Sequence, residues 1–419
     1  MSFGYTILGF GAGILDSFKP FISKAKPDGS SSTDGNSYGI HLAFDDNTKG
    51  VFAVVWRNND DTNLKAVVGT HTDGAIVFGT PVVIHSQGDL VTLPRMDFDN
   101  STAGKFVVQY NLTERHNAGN PTFRVGTISN TGVNATISFG SASTMPYGPA
   151  HPNSTWHAAQ GDIAVSADGS YVYFVGYDQS SANQGRMSRW DLGSTSVSGW
   201  NYIGQFHDNG RAQVLETCIH SDDNDSVFLL YTQNGANLMT RKVSPNNLNS
   251  DQQVTSNGAE DHGMTVNPNS KQDVLYYYRD QANSDYPTVR MGRWSGASCS
   301  FGTAVVLESA DTGTMLSASF DHGTAKDQAV VLWGSDGSTG KAGILEVDGT
   351  SITVAETQTA AGTINDGVNI SSMGNEGRAG VSCDPQDIGK FIYPFRHYPG
   401  SGQTDHDVPF VACGSFPSA

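Results

Sequence analysis

Basic side chains and glutamate are both scarce in this chain of 419 residues. Lysine and arginine number 24 against 41 acidic residues, which leaves a formal charge of −17, and no basic run occurs. Because nucleic-acid binding depends on neutralising phosphates, DNA or RNA is not expected as a partner. Only 7 of the acidic residues are glutamate, and the remaining 34 are aspartate, which prefers turns to helix interiors. The composition therefore indicates little helix.

Cysteine is also rare, and its spacing predicts neither disulfides nor a metal site. The four cysteines lie far apart, without a CxxC pair or a histidine at zinc-ligand spacing. We interpret them as buried thiols and expect no metal and no cofactor.

The apolar opening from Phe3 to Leu15 is interrupted by glycines and preceded by no positive charge. We therefore expect neither a secretory signal nor insertion into a membrane.

What the sequence does contain is a phrase that recurs seven times: a strand, an Asp- or Asn-rich turn, and an apolar strand that ends in aromatic residues. Its copies begin at His41, Arg95, Ile163, Cys218, Met264, Ala318 and Val381. The assigned turn residues are Asp45, Asp99, Asp168, Asp222, Asn267, Asp321 and Asp384. They span 384 − 45 = 339 positions in six intervals, or about 56 residues each, which suits one four-stranded propeller blade. We predict an all-β protein, a seven-bladed β-propeller, with the whole chain (1–419) as a single domain and the blades in residues 39–419.

The ends of the chain suggest how the ring closes. Several units contain a fourth strand with an aromatic-Gly phrase, as in IVFGTPVVI from Ile76 and CSFGTAVVL from Cys299, whereas the seventh unit stops after three strands. Residues 2–8 read SFGYTIL, which matches that phrase. Since pairing the termini in one blade removes an open edge, we predict that residues 1–10 form the closing strand of blade seven and that 11–38 is a flexible connector. The alternative is an N-terminal arm that docks elsewhere.

Two local patterns explain why these units form blades. The second strand of each unit is almost continuously apolar, as in VFAVVW from Val51, which predicts a strand covered on both faces. The glycines of the aromatic-Gly phrase, at Gly79, Gly140 and Gly302, are predicted to lie where a side chain would crowd a bend or an adjacent backbone.

No recognised catalytic motif occurs, so we expect no enzymatic activity. The Asp-rich turns lack the ligand spacing of an EF-hand loop, and SADGSYVYF from Ser166 resembles the Asp-box turn of sialidase propellers in its structural part only. A glycoside hydrolase or lyase in the central funnel is left open as an alternative, because Glu216 and Glu260 lie near the starts of first strands, with Asp261 and His262 beside Glu260. That hypothesis requires these groups to converge.

Loop aromatics are the best candidates for binding, because propellers present their loops on two flat faces. The predicted binding residues belong to connections on one shared face. They are Tyr147, Trp156, His157, Tyr286, His397 and Tyr398.

The repeat also carries a resemblance. The phrases FGTPVVI from Phe78, FDNSTAGKFVVQY from Phe98 and CSFGTAVVLES from Cys299 resemble the repeat-bearing virion proteins of tailed phages from marine and freshwater environments. The resemblance implies a β-propeller that is assembled in the host cytoplasm and exposed on the virion. It would act there as a capsid decoration, head fibre or tail-attached adhesin. The implied partners are other virion proteins and a host-surface glycan or protein. A free lectin is the remaining alternative.

Overall fold

The computed structural model describes residues 18–27, 37–58, 63–86, 92–111, 121–145, 156–178, 184–206, 215–219, 226–233, 237–244, 247–256, 258–309, 314–323, 326–335, 339–359, 380–397 and 408–417. Within these ranges the chain is mostly strand, and its helical segments are two single-turn 3₁₀ helices, Gly132–Asn134 and Gln281–Asn283. No helix in the described ranges is long and apolar enough to cross a membrane.

The strands form seven antiparallel sheets, one for each blade. The first part of the chain contributes β1 (Lys19–Ala25). Blade one contains β2 (Ser37–Phe44), β3 (Val51–Asn58), β4 (Leu64–Thr72), β5 (Ala75–Phe78) and β6 (Val82–His85). Blade two contains β7 (Thr92–Phe98), β8 (Lys105–Asn111), β9 (Pro121–Ser129), β10 (Thr136–Phe139) and β11 (Ser143–Thr144). Blade three contains β12 (Trp156–Val165), β13 (Tyr171–Asp178), β14 (Gln184–Leu192) and β15 (Val197–Phe206).

The remaining blades follow the same order. Blade four contains β16 (Leu215–Ile219), β17 (Val227–Gln233), β18 (Asn237–Ser244), β19 (Asn247–Leu248) and β20 (Gln252–Thr255). Blade five contains β21 (Ala259–Val266), β22 (Asp273–Asp280), β23 (Tyr286–Ser295), β24 (Ser298–Phe301) and β25 (Val305–Val306). Blade six contains β26 (Thr314–Phe320), β27 (Asp327–Ser335), β28 (Thr339–Asp348) and β29 (Ser351–Thr359). Blade seven contains β30 (Ser382–Cys383), β31 (Lys390–His397) and β32 (Val408–Ser415), with β1 as its fourth strand.

The predicted seven-bladed propeller is confirmed. The first strands contact one another around a closed ring, from blade one through blade seven and back to blade one. Seven apolar clusters fill the seven interfaces between neighbouring blades. In β3, Phe52 and Val54 pack toward blade seven, whereas Val51 and Ala53 pack toward blade two. The continuous apolar second strands are therefore buried on both faces, as their sequences predict.

The fourth strand is split in blades one, two, four and five, and in blades one, two and five the aromatic-Gly phrase marks the break. The glycine directly follows the first of the two pieces of the split strand. It lies against the turn between the third and fourth strands of the next blade. A Cβ built on Gly79, Gly140 or Gly302 would lie 2.1, 1.7 or 1.9 Å from a carbonyl oxygen, that of Ala135, Thr195 or Thr350 respectively. The geometric role predicted for these glycines is confirmed, because any side chain there would push two blades apart.

The closing strand is supplied by the N-terminal part of the chain, but by residues other than those predicted. The strand β1 (Lys19–Ala25), inside the expected connector 11–38, pairs with β32 as the fourth strand of blade seven. Phe18 packs on Phe391 with ring centroids 6.2 Å apart, and the Tyr393 hydroxyl donates to the Pro20 carbonyl at 3.0 Å. Residues 1–10, which were assigned this role, lie outside the described residues. The strand β1 takes the closing position because it packs against blade seven, and the aromatic-Gly phrase alone does not predict such packing.

Hydrogen bonds join the turn between the first and second strands of one blade to the same turn of the next blade. The Asp45 carboxylate accepts from the Gly104 amide of blade two, and the Asp384 carboxylate accepts from the Gly50 amide of blade one, at 2.9 and 2.7 Å. The Asn47 side chain donates to the Asp99 carbonyl at 3.1 Å, also toward the next blade. These aspartates are therefore turn residues that also bridge blades, as the turn interpretation of the Asp45 segment requires.

Blade three departs from the predicted alignment. Its turn is closed by a bond from the Ser166 amide to the Tyr171 carbonyl, which makes Ser166 the counterpart of Asp45. Asp168 instead accepts from the hydroxyl groups of Ser166 and Ser170 within its own turn, at 2.7 and 2.8 Å. The predicted turn residue Asp168 therefore lies two residues after the counterpart of Asp45, in a turn that is one residue shorter.

The prediction of buried thiols holds for two of the three described cysteines. Cys383 and Cys413 are buried, Cys299 is half-buried, and all three are free. Burial raises the pKa of the Cys299 thiol to about 12, so this side chain stays protonated at neutral pH.

Candidate functional site

The first strands surround a central cavity of about 350 Å³. Six of the seven blades contribute described residues to its wall. Most of the polar lining comes from the first strands, at two levels separated by two residues along each strand. Because alternate residues of a strand point to the same side, these two levels form stacked rings around the cavity.

The ring nearer the loops contains one residue from each blade, four positions before the turn residue in most blades. Six members form the fourth pair of the ladder between the first and second strands, counted from the turn, as His41 does with Val55 and Arg95 with Gln109. The seventh member, Gly380, lies two residues before β30. This upper ring runs His41, Arg95, Asp162, Glu216, Gly263, Ser317 and Gly380, with Glu216 placed by its backbone register alone.

The lower ring, nearer the turns, connects neighbouring first strands. The Phe44 amide donates to the Ser382 hydroxyl at 3.2 Å, and the Cys383 amide donates to the Ser319 hydroxyl at 3.1 Å. In the same way the Val165 amide donates to the Asp97 carboxyl at 2.7 Å. Polar side chains of the lower ring thus bond to the backbone of neighbouring first strands. No such bond is described for the upper ring, whose described residues line the cavity.

Burial shifts the ionisation of several lining groups. Burial and, to a smaller extent, the charge of Arg95 lower the pKa of His41 to about 3, so this imidazole is neutral near pH 7. Burial raises the pKa of Asp97 well above its ordinary value. The hydrogen bonds that its carboxyl accepts from the backbone amides of Val165 and Phe98 lower the pKa but do not offset burial. Arg95 pairs with Asp162 across 3.8 Å and also donates to the Pro94 carbonyl at 3.2 Å.

Asp46 lies at the turn end of the cavity and couples stability to pH. Burial and the charges of Asp45 and Asp384 raise its pKa from 3.8 to about 7. Between these values the folded protein binds more protons than the unfolded chain, so this group lowers stability as pH rises from 3.8 toward 7. We expect Asp46→Asn to raise the free energy of unfolding by about 1–2 kcal/mol at pH 8 and to change it little at pH 4. Urea unfolding at both pH values measures this, and an equal gain at both would contradict it.

The residues required by the glycosidase hypothesis do not meet in this cavity as far as they are described. His262 is buried at 1% exposure, and Asp261 pairs with Arg279 across 3.8 Å. Neither residue lines the cavity, because both sit in the bulge that follows Glu260. The side chains of Glu216 and Glu260 lie outside the described residues.

Four of the predicted binding residues belong to described strands, and these four lie at one end of the blades. Trp156 and His157 begin a first strand, Tyr286 begins a third strand, and His397 ends a second strand. In antiparallel sheets these positions share one edge, which we call the loop face. Tyr147 and Tyr398 lie outside the described residues, as do the side chains of Trp156, His157 and His397.

One connection on the loop face is described completely, between β22 and β23 of blade five. Asp280 caps its 3₁₀ turn by accepting from the Ala282 amide at 3.2 Å. Ser284 and Asp285 follow with φ of 56° and 59°, a left-handed conformation that costs about 1–3 kcal/mol for each residue. Arg279 lies 3.8 Å from Asp285 and ties the end of the loop to its base.

The exposed part of this connection is polar. The side chains of Gln281, Asn283 and Ser284 are exposed, and that of Tyr286 is half-buried at the base of the loop. We call Gln281–Tyr286 the blade-five loop. It places amide and hydroxyl groups beside a tyrosine on a backbone held in a strained conformation.

Sequence reasoning missed the cavity residues His41, Arg95, Asp97 and Asp162. The first two are the opening residues of the repeated phrase, so a column comparison of the phrases would have found a variable polar position there. Asp162 escapes such a comparison because of the shorter turn in blade three.

The comparisons with known proteins support the fold. No protein-family profile and no curated sequence matches the chain. The BP39L lectin from Burkholderia pseudomallei aligns with a TM-score of 0.61 at 9% identity, over 91% of this chain and 98% of that chain. AofleA from Arthrobotrys oligospora aligns with a TM-score of 0.48 at 12% identity, over 80% of this chain and 96% of that chain. The chain is thus similar in structure to the BP39L lectin, and at this identity the likeness shows the fold alone.

An enzyme is found among the structural neighbours as well. Trypanosoma rangeli sialidase aligns with a TM-score of 0.47 at 11% identity, over 76% of this chain and 56% of that chain. One fold can carry either binding or catalysis, so the choice between them depends on the site residues.

Proposed function

We propose that this protein is a non-catalytic binding propeller that recognises glycans on its loop face. The observation that carries the proposal is the blade-five loop, where a strained and internally braced backbone presents amide and hydroxyl groups beside Tyr286. Strain of this kind persists where the surrounding structure fixes it, which is typical of binding loops. The lectin function of BP39L agrees with this proposal.

A glycan suits this surface better than a protein does. Protein interfaces generally need an apolar centre in a contact of more than about 1,000 Å². The exposed large apolar side chains of the described residues are Ile22, Val77, Val83, Val133, Val306 and Ile388. None of them belongs to the blade-five loop. Its polar groups and one aromatic ring match the hydroxyl groups and the apolar ring faces of sugars.

A glycan microarray tests the proposal with the labelled full-length protein. We expect binding to a subset of glycans, and we expect Tyr286→Ala to weaken that binding by about tenfold or more, because it removes the stacking ring. Ile388→Ala is the matched control, since Ile388 is an apolar residue at 61% exposure in a turn on the opposite face. Absence of any glycan hit, or equal loss in both variants, would contradict the proposal.

Exposure on a phage particle stays a prediction that rests on the resemblance of the repeat phrases. Within the proposal it gives the binding its purpose, because a glycan-binding propeller on a virion would contact the host surface. The face opposite the loop face carries the turns between first and second strands, whose side chains bridge consecutive blades. This face would then be the side available to other virion proteins.

A further inference from the structure

A buried histidine lies at the seam between blades seven and one, where the ring closes. The His71 amide donates to the Gly50 carbonyl at 2.7 Å, which joins β4 to the last residue of the turn before β3. Alternate residues of β4 point to opposite sides, and Val67 packs in the cluster between blades seven and one. The His71 side chain therefore points from blade one toward blade seven.

The same backbone bond recurs in other blades, so the residues that make it can be compared. In blades two, three, five and seven a third-strand amide donates to the carbonyl of the residue before the second strand, at 2.8–2.9 Å. The residues that donate there are hydrophobic, and each packs in the cluster shared with the preceding blade. They are Ile128, Leu192, Trp294 and Phe416. Among the blades where this bond is described, blade one alone has an ionisable side chain at the position.

The His71 imidazole is enclosed without a hydrogen-bond partner. It is 3% exposed, and neither its Nδ1 nor its Nε2 atom has a partner among the described residues. A neutral imidazole carries one N–H donor and one acceptor, and burying such groups unpaired costs free energy. A hydrophobic side chain, as in the other four blades, would avoid this cost. The histidine thus weakens the seam.

Three polar contacts between blades seven and one lie near His71. They are a hydrogen bond from the Gly50 amide to the Asp384 carboxylate at 2.7 Å, an ion pair between Lys49 and Asp387 at 3.0 Å, and a hydrogen bond from the Ser23 hydroxyl of β1 to the Gly74 carbonyl. The strand β1 belongs to the opposite end of the chain from β30–β32, and its ladder with β32 joins it to blade seven. Opening of the seam therefore takes away the contact of β1 with blade one.

The charges around His71 do not compensate for its burial. The described charged residues on the surrounding elements are Lys19, Lys24, Asp45, Asp46, Lys49, Asp73, Asp384, Asp387 and Lys390. Burial and, to a smaller extent, the charge of Lys390 lower the pKa of His71 below 6.5, and the opposing charges of Asp387 and Asp73 do not offset them. Below pH 6.5 the released histidine binds a proton more readily than the enclosed one, so the closed seam loses stability as pH falls.

We propose that the seam between blades seven and one is an acid-sensitive latch, in which protonation of His71 separates the two turns and releases β1. The imidazolium reaches water when the blade-seven turn moves away, because the side chain points toward that blade. The ring then stays closed at neutral pH and opens at this seam in mild acid. This inference concerns ring closure and does not depend on glycan binding at the blade-five loop.

Hydrogen-exchange mass spectrometry of the full-length protein at pH 7.5 and 5.0 tests the latch, with rates corrected for the intrinsic effect of pH. Protection of the peptides that contain β1 and the Asp384–Gly389 turn should fall by about tenfold at pH 5.0, because opening lets His71 titrate with its ordinary pKa. Protection of β22 in blade five should stay unchanged. His71→Leu, which introduces the residue type that blade three has at this position, should abolish the loss.

His322→Leu is the matched control. Burial also lowers the pKa of this histidine, which lies in the turn of blade six, and its replacement should leave the acid-induced loss at β1 intact. Asp46 titrates in the opposite sense and stabilises the fold as pH falls, so a loss that disappears in His71→Leu does not come from that group.

Four results would overturn the latch: no acid-induced loss of protection at β1, a loss of equal size in His71→Leu, disappearance of the loss in His322→Leu, or an equal loss in β22. If His71→Leu lacks the circular dichroism spectrum of the folded protein, His71→Gln, which is neutral at both pH values, takes its place under the same criteria. Because no glycan is present in these measurements, their failure leaves the proposed function standing, and a glycan array without hits leaves the latch standing.

Discussion

Alanine at position 140 should lower the free energy of unfolding by about 3 kcal/mol or more. Its Cβ would lie 1.7 Å from the Thr195 carbonyl oxygen, which belongs to the backbone of the next blade and has no rotamer by which to move away. Relief of the clash requires blades two and three to separate, and that separation would open the apolar cluster between them. Urea unfolding followed by circular dichroism measures the loss.

Gly380→Ala provides the matched control for this prediction. The same substitution there brings a Cβ no closer than 3.7 Å to any atom of the described residues, so we expect a change within about 1 kcal/mol. Equal effects at positions 140 and 380 would show that the loss comes from the backbone freedom of glycine rather than from contact between blades.

Removal of residues 1–26 should abolish the folded monomer. The deletion removes β1, uncovers the edge of β32 along Val411–Ser415, and takes Phe18 out of the cluster between blades six and seven. An uncovered strand edge pairs with other chains, so the truncated protein should aggregate or form swapped oligomers. Size-exclusion chromatography with light scattering measures the result.

A milder variant keeps this prediction testable. Phe18→Ala should cost about 3–5 kcal/mol, because the ring is 1% exposed and packs on Phe391. Lys19→Ala, an exposed residue of the same strand, should cost little. A truncated protein that stays monomeric and unfolds cooperatively would contradict the assigned closure.

Much of the fold could be predicted from the sequence because its pattern is repeated and local. The apolar second strands and the glycines at 79, 140 and 302 each reflect a contact that recurs between neighbouring blades. The closing strand could not be predicted in the same way. SFGYTIL matches the local phrase, whereas β1 is selected by distant contacts with Phe391 and Tyr393.

The candidate site was less predictable for a related reason. The upper-ring position varies from His41 to Arg95 to Gly380, so no repeated residue marks it, and only the register of the first strands brings these side chains together. The strain at Ser284 and Asp285 is likewise set by the braces around the loop rather than by glycine or another local signal.

Hydrogen-exchange mass spectrometry, with and without the best glycan from the array, tests the central claim most directly. If the loop face is the binding surface, the bound glycan should slow exchange in the peptide that contains Gln281–Tyr286 and leave the turns at Asp45–Gly50 and Asp384–Gly389 unchanged. Protection of those turns, or of the first strands around the cavity without protection of the blade-five loop, would contradict the account.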